Sequence, residues 1–202
     1  GRAVDLWAEA NRSFYASGAW QSVRDTSGRH IIKYPTDLQV YREIIAQAKP
    51  EVIVETGSWE GGSAAWFAEF AEVISIDVSL PRHPDPRVHA VIGDSTAPEI
   101  ASYVRDEVRG RRCLVSLDSD HNAEHVAQEI AAYAPLVTIG SYLVVEDTAV
   151  DAYDLEPGSY PEGGPLVAVQ HFLKTDNRFV PDPECERFRL GMNPGGWLRR
   201  VA

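Results

Sequence analysis

Acidic residues close one short apolar run after another in this chain: Glu55, Asp77, Asp94, then Asp118 with Asp120, then Glu146 with Asp147. The last two groups, in Leu117-Asp118-Ser119-Asp120-His121 and Val145-Glu146-Asp147-Thr148, carry the richest chemistry. Carboxylates gathered at neighbouring strand ends repel one another unless a cation sits among them, and oxygen donors without convergent thiolates suit Mg²⁺ or Ca²⁺. Asp118, Glu146 and Asp147 form the favoured ligand triad. Asp120 competes for the first place, because alternate residues share a side of a strand. His121 stands just before a helix, where the positive end of the helix dipole is expected to lower the imidazole pKa and keep it neutral. A neutral imidazole beside a hydroxyl activated by a cation is a general base.

His121-Asn122-Ala123-Glu124-His125 also matches the zinc-peptidase pattern H-x-x-E-H. Such short patterns arise by chance, and a strand-to-helix corner of a nucleotide-type sheet is the wrong setting for zinc hydrolysis. His125 is read as a solvated helix residue, while His30, His83, His89 and His171 lack any supporting constellation.

Upstream, Glu55-Thr56-Gly57-Ser58-Trp59-Glu60-Gly61-Gly62-Ser63 places an acid at a strand tip, then glycines, then a helix start. Glycines there let the backbone approach a ligand, and free helix N–H groups favour a negative group such as a carboxylate. A nucleoside-containing cofactor is the natural guest. The dinucleotide fingerprint G-x-G-x-x-G and the phosphate loop are absent, which weakens NAD and ATP readings. Asp77 lies 22 residues after Glu55, the spacing at which a carboxylate accepts from ribose hydroxyls. Gly93-Asp94-Ser95 could meet an adenine edge.

These residues need a scaffold that aligns strand ends. Runs at 52–55, 73–77, 88–92, 113–117 and 142–146 are short, rich in Val and Ile and nearly continuous in apolar character. That pattern marks strands covered on both faces of a parallel sheet. Helix-length segments at 62–71, 97–109 and 122–133 separate them, so the expected fold is α/β, a doubly wound, mostly parallel sheet. Two N-terminal helices are expected, at 4–16 and at 36–48, the second with a Thr36 cap. The glycine- and proline-rich stretch 148–164 is read as a loop without regular structure, and a loop of that length in a compact domain is usually functional. A helix at 165–174 and closing strands at 178–180, 187–190 and 197–201 complete one domain, with residues 1–48 as its helical lead-in.

The chain has 202 residues, 44% of them hydrophobic, and a net charge of −11. That is a globular composition with one core, and the acidity argues against nucleic acid, whose phosphates require clustered Lys and Arg. No apolar run approaches the roughly 18 residues of a membrane span, and a signal-peptide layout is missing, so no membrane partner and a cytoplasmic location are expected. Cys113 and Cys185 are too few for a disulfide framework.

Taken in order, Lys33-Tyr34-Pro35-Thr36-Asp37-Leu38, Val54-Glu55-Thr56-Gly57, Gly61-Gly62-Ser63, Ile74-Ser75-Ile76-Asp77, Leu117-Asp118-Ser119-Asp120-His121, Gly140-Ser141-Tyr142-Leu143-Val144-Val145-Glu146-Asp147-Thr148 and Asn193-Pro194-Gly195-Gly196 resemble the family labelled cephalosporin hydroxylase, over about residues 30–200. The resemblance implies a Rossmann-like class I methyltransferase fold and, despite the label, O-methylation dependent on S-adenosylmethionine and Mg²⁺, with antibiotic or sugar hydroxyls as acceptors. Asp118, Glu146 and Asp147 resemble the family's metal ligands, the first acid standing 28 residues before the acidic pair, and His121 resembles its general base. Glu55, Gly57, Ser58, Ser63, Asp77, Asp94 and Ser95 fall where class I enzymes hold the methyl donor. A small sugar-like acceptor is then expected, under a lid at 148–164 carrying Tyr153 and Tyr160 as stacking residues, with Tyr34, Trp59 and Asp120 completing its pocket. Larger members carry additional N-terminal domains, which leaves a homo-oligomer open here. An oxygenase, as the label says, and a silent cofactor-binding module are the alternatives. The first would need two His and one carboxylate around iron.

Overall fold

Strands end at one edge of the molecule because a single sheet carries them. A computed structural model describes residues 5–82 and 84–202; Val4, at the head of the first expected helix, and His83 lie outside the described residues. The order along the chain is α1 (Leu6–Ser17), α2 (Pro35–Ala48), β1 (Val52–Thr56), α3 (Gly62–Phe67), β2 (Glu72–Asp77), β3 (Val88–Ile92), α4 (Pro98–Val108), β4 (Cys113–Leu117), α5 (Ala123–Tyr133), β5 (Tyr142–Val145), α6 (Ala149–Ala152), α7 (Pro165–Thr175), β6 (Phe179–Pro181) and β7 (Trp197–Arg200). The sheet runs β3-β2-β1-β4-β5-β7-β6, parallel through the first five strands, with β7 antiparallel to both neighbours. Chain order reverses between β1 and β4, the switch point at which open α/β sheets bind ligands.

Alternation along the strands makes two cores. Val52 and Val54 pack with Ile74, Val115 and residues of α4 and α5, while Ile53 packs with Val73, Leu114 and residues of α2 and α3. The same period sets Glu55 level with Ser75 and Ser116 on its two neighbours, a polar row at the carboxyl ends.

Helix α3 stops at Phe67, short of the expected 71, and the elements depart from expectation in three further places. Helix α2 starts at Pro35, whose fixed φ suits a first helical position, and Thr36 does not cap it: its hydroxyl donates to the Leu190 carbonyl at 2.5 Å. The expected strand at 187–190 does not form, since Arg189 sits at φ 55 and the edge is already taken by the β6–β7 pair. The stretch 148–164 opens with the helical turn α6, where Ala149 and Val150 are buried against Tyr34 and Met192. Asp151 then accepts from Gly164 N and Leu166 N, both at 2.8 Å, tying the two ends of the remaining loop together. Both cysteines are buried and unpaired. Among the described residues, no helix is long and apolar enough to cross a membrane.

Candidate functional site

At the switch point the turn after β1 and the turn after β4 touch. Gly57 has φ +77, and a Cβ on it would lie 1.8 Å from the Asp118 carbonyl oxygen. Only glycine accepts both that backbone and that contact. Over these turns lies a cavity of about 330 Å³ lined by Gly57, Ser58, Trp59, Ser63, Lys33, Asp118, His121, Glu146, Asp147 and Glu156.

Three groups converge in it: Asp118, His121 and Asp147 offer ligand atoms within 4.8 Å of one another. His121 Nε2 is buried, 3.2 Å from Asp147 Oδ2 and 3.7 Å from Asp118 Oδ1, with no hydrogen bond of good geometry. Asp147 has φ 57, a conformation costly for a side chain of L configuration. Asn193 holds it there by accepting from Asp147 N at 2.9 Å. Gly196 lets that loop close in, for a Cβ would stand 2.1 Å from the Val145 carbonyl oxygen. The Asn193-Pro194-Gly195-Gly196 motif thereby acquires a physical reason: it aims Asp147.

Glu146 stands beside this group rather than within it. Its Oε1 accepts from Lys33 Nζ, Tyr41 OH and Ser116 Oγ, each at 2.6 Å, and Lys33 Nζ also donates to Asp118 Oδ2 at 2.8 Å. Lys33 is 3% exposed. None of Lys33, Tyr41 and Ser116 stood out in the sequence as a site residue; the available signal was a lone lysine wedged between Ile32 and Tyr34 ahead of a helix.

Burial and these partners set the protonation of the cluster. Burial pushes the Glu55 carboxyl up to about 7, against the opposing pull of Lys33. Asp147 rises to about 7 for the same reason, His121 opposing, and burial also raises Glu146. Burial would raise Asp118 too, but Lys33 and His121 outweigh it and the carboxyl lies low. Lys33 is held protonated, Asp118 and Glu146 overcoming its burial. For His121 the expectation of a lowered pKa is corrected. Burial lowers it, but the adjoining Asp118 and Asp147 carboxylates raise it to about 9, since two facing charges outweigh the partial charge of a helix end.

The remaining residues divide. Glu55 accepts from Ser75 Oγ at 2.8 Å on Oε2, and its buried Oε1 has no partner. Asp77 accepts from Trp59 N at 2.9 Å and from Ser79, and Asp94 closes a local turn onto Thr96. Ser95 donates to Glu129 at 2.6 Å. Asp120 is corrected as a cluster member: it accepts from Asn122 N at 2.7 Å and belongs to the start of α5. Tyr34 is fully buried against Phe14, so it packs and does not line the cavity. Tyr153 faces a different cleft, of about 540 Å³, that contains none of Glu55, Asp118, Glu146 and Asp147. Trp59 is 61% exposed at the cavity rim. Tyr160 approaches His121 Nδ1 at 3.5 Å through its hydroxyl and donates to Glu156 at 3.1 Å. His125 is not simply solvated: its Nε2 lies 3.1 Å from Ser119 Oγ and 3.7 Å from buried Glu129, so it and His121 serve separate clusters.

A doubly wound sheet ordered 3-2-1-4-5 with an antiparallel seventh strand, an acid and glycine turn after β1 and an acidic crevice beside it define the class I methyltransferase fold. Residues 19–201 match the family model described as Rhamnosyl O-methyltransferase/CmcI, and the chain belongs to that family. It is thus an O-methyltransferase. A Rhamnosyl O-methyltransferase of Mycobacterium tuberculosis (strain ATCC 25618 / H37Rv) is 31% identical over 216 aligned positions, covering 98% of this chain and 87% of the relative. Among solved structures, CmcI-D160 with Mg and SAM is 23% identical with a TM-score of 0.66, over 90% of this chain and 78% of the other. CalS11, a TDP-rhamnose 3'-O-methyltransferase, is 18% identical with a TM-score of 0.53, over 82% of this chain and 76% of the other.

Proposed function

We propose that this chain transfers the methyl group of S-adenosylmethionine to a hydroxyl of a sugar or glycosylated small molecule, with a divalent cation, Mg²⁺ in the first instance, in the acidic crevice. The observation that carries the reading is the convergence of Asp118, Asp147 and His121 beside the Gly57 turn. The relative that acts on a rhamnosyl group, the one that acts on TDP-rhamnose and the CmcI complex with Mg and SAM support it.

The residues fit both small molecules. The unpartnered, buried Oε1 of Glu55 is an acceptor lacking a donor, suited to an ammonium or hydroxyl of the methyl donor. Gly57, Ser58 and Ser63, just beyond Glu55, line the crevice cavity, with Asp77, Asp94 and Ser95 at the following strand ends to meet ribose and base. Asp118 and Asp147, with the Oε2 of Glu146, are the oxygen donors for the cation. A divalent cation there supplies Lewis acidity that lowers the pKa of the acceptor hydroxyl.

The protein's own work is proton removal and placement. His121 presents Nε2 to the crevice and takes the hydroxyl proton, while Tyr160, itself held by Glu156, steadies the ring at Nδ1. The pull of Asp118 and Asp147 favours the protonated imidazole, and a divalent cation held by those carboxylates would offset that pull, so that Nε2 could accept the proton. The loop between its Asp151 clamps covers the acceptor as a lid, the whole chain serving as one catalytic domain. The oxygenase reading loses ground, because it needs a second imidazole and, among the described residues, the converging group holds His121 alone.

Purified protein incubated with methyl-labelled S-adenosylmethionine and a panel of nucleotide-linked and glycoside rhamnoses, with and without EDTA, should label a sugar only when divalent cation is present. Transfer at full rate in EDTA sinks the cation part. Absence of S-adenosylmethionine binding in calorimetry sinks the whole reading.

A further inference from the structure

Glu146 is one of the most thoroughly gripped side chains in the molecule, and all of the grip falls on one atom. Lys33 Nζ, Tyr41 OH and Ser116 Oγ all donate to Oε1, and among the described residues Oε2 accepts no hydrogen bond although Glu146 lines the cavity. Asp118 is treated alike. Lys33 takes Oδ2, and Oδ1 is left toward His121. A buried lysine thus binds one oxygen from each of two carboxylates that come from β4 and β5, strands joined side by side.

We propose that Lys33, with Tyr41 and Ser116, is the positioning ring of the cation site: it fixes one oxygen of Asp118 and one of Glu146 so that the other two face the crevice before any cation arrives. The inference rests on the cation reading given above. Two physical terms compete at Lys33. Its positive charge repels a divalent cation, whereas its two charge-assisted bonds pre-arrange ligands that would otherwise have to be ordered at the moment of binding. The geometry favours the second, because the ammonium occupies oxygens other than those left to the crevice. Tyr41 and Ser116 act without charge, and so isolate the positioning effect. The aromatic ring of Tyr41 is itself wedged against Phe67 and Trp197 at centroid distances of 5.0 and 4.9 Å, so its hydroxyl is held rather than mobile. Chain topology makes the ring: Lys33 precedes α2, Tyr41 lies within it, and the helix lies against the face on which Ser116 stands one residue before the end of β4.

The test uses Mn²⁺ as the probe, its binding to full-length protein read by electron paramagnetic resonance. Lys33→Met should weaken Mn²⁺ about 10- to 100-fold, the range for loss of an outer partner of a ligand. The double variant Tyr41→Phe with Ser116→Ala should weaken it several-fold, and both should bind S-adenosylhomocysteine within about threefold of wild type, which a general loss of structure would not allow. Unchanged or tighter Mn²⁺ binding in folded Lys33→Met overturns the proposal, tighter binding making Lys33 a competitor for the site. Should Lys33→Met fail to fold, the neutral double variant decides, and Mn²⁺ affinity equal to wild type overturns the proposal. Wild-type protein that binds no Mn²⁺ at millimolar concentration overturns the cation reading itself and this inference with it.

Discussion

The parallel sheet carries charged residues at both ends, and the two ends obey different physics. At the amino ends Glu51 meets Arg112 and Glu72 meets Arg111, with Glu72 and Arg112 side chains 51% and 56% exposed. At the carboxyl ends Lys33, Glu55 and Glu146 are 3%, 0% and 4% exposed. Exposed pairs gain little because water and salt screen them. Buried ones lose hydration that only close partners restore, so a cluster of buried charge is weak evidence for stability. The sheet therefore keeps inexpensive charges at one end and strained, desolvated ones at the other. Asp147 at φ 57 and Glu55 with an unpartnered oxygen belong to the second end, where work is done at the expense of stability.

The largest effect should come from the imidazole at the carboxyl end. His121→Ala is expected to lower kcat/KM by roughly 10²- to 10⁴-fold, the range for a positioned base, with S-adenosylhomocysteine affinity and melting temperature nearly unchanged. Steady-state kinetics on the folded variant check it. A rate within a few-fold of wild type would remove His121 from the chemistry and blur the contrast between the two ends.

Next comes the contact that lets the carboxyl ends meet. Gly57→Ala forces a Cβ toward the Asp118 carbonyl at a backbone angle that alanine resists. It should cost more than about 3 kcal/mol, in the range reserved for strain and overpacking, and chemical denaturation would measure it. A variant destabilised by less than about 1 kcal/mol would mean that the two turns are free to part.

How much of this was legible beforehand follows from which forces are local. The five parallel strands, the order of acids at their ends and the Gly57 turn could be read because periodicity and glycine conformational freedom are written in consecutive residues. Strand 187–190 was misread because an apolar run cannot report that the sheet edge is already filled by β6 and β7. Lys33 heads a motif of the resemblance, yet its role is not legible there because its partners Asp118 and Glu146 lie 85 and 113 residues away. The direction of the His121 shift was missed for the same reason: the helix end is adjacent in sequence, whereas Asp147 approaches through a β5 turn held by Asn193.

The acids also differ in how pH acts through them. Burial pushes buried Asp37 up to about 8 from an ordinary 3.8, with Met192 N opposing. The folded state therefore holds a proton that the unfolded chain releases between those values, and stability should decline as pH rises from about 4 to about 8. Asp85, drawn low by Arg87 and Arg29, carries the opposite sign: its share is present at neutral pH and is lost as the medium turns strongly acidic. Melting temperatures across pH for wild type and Asp37→Asn should show the variant flatter between 5 and 8, by an amount on the order of 1 kcal/mol or more. Superimposable curves would show that Asp37 is ionised throughout.

The smallest effect belongs to the amino ends. Arg111 and Glu72 are joined by two bonds, at 2.8 and 3.2 Å, with good fork geometry. Their side chains are 26% and 51% exposed, so solvent competes for both. A double-mutant cycle through Arg111→Ala and Glu72→Ala should give a coupling of about 0.2–1 kcal/mol, and raising ionic strength to 1 M, where the screening length is about 3 Å, should diminish it. Turnover of all three variants should match wild type, since neither side chain lies at the crevice end of its strand. The bidentate fork is the best case an exposed pair can offer, so a coupling above about 2 kcal/mol that persists in high salt would place real stability at this end. The division of labour would then fail, because charge pairs would be stabilising the sheet at the end assigned no function.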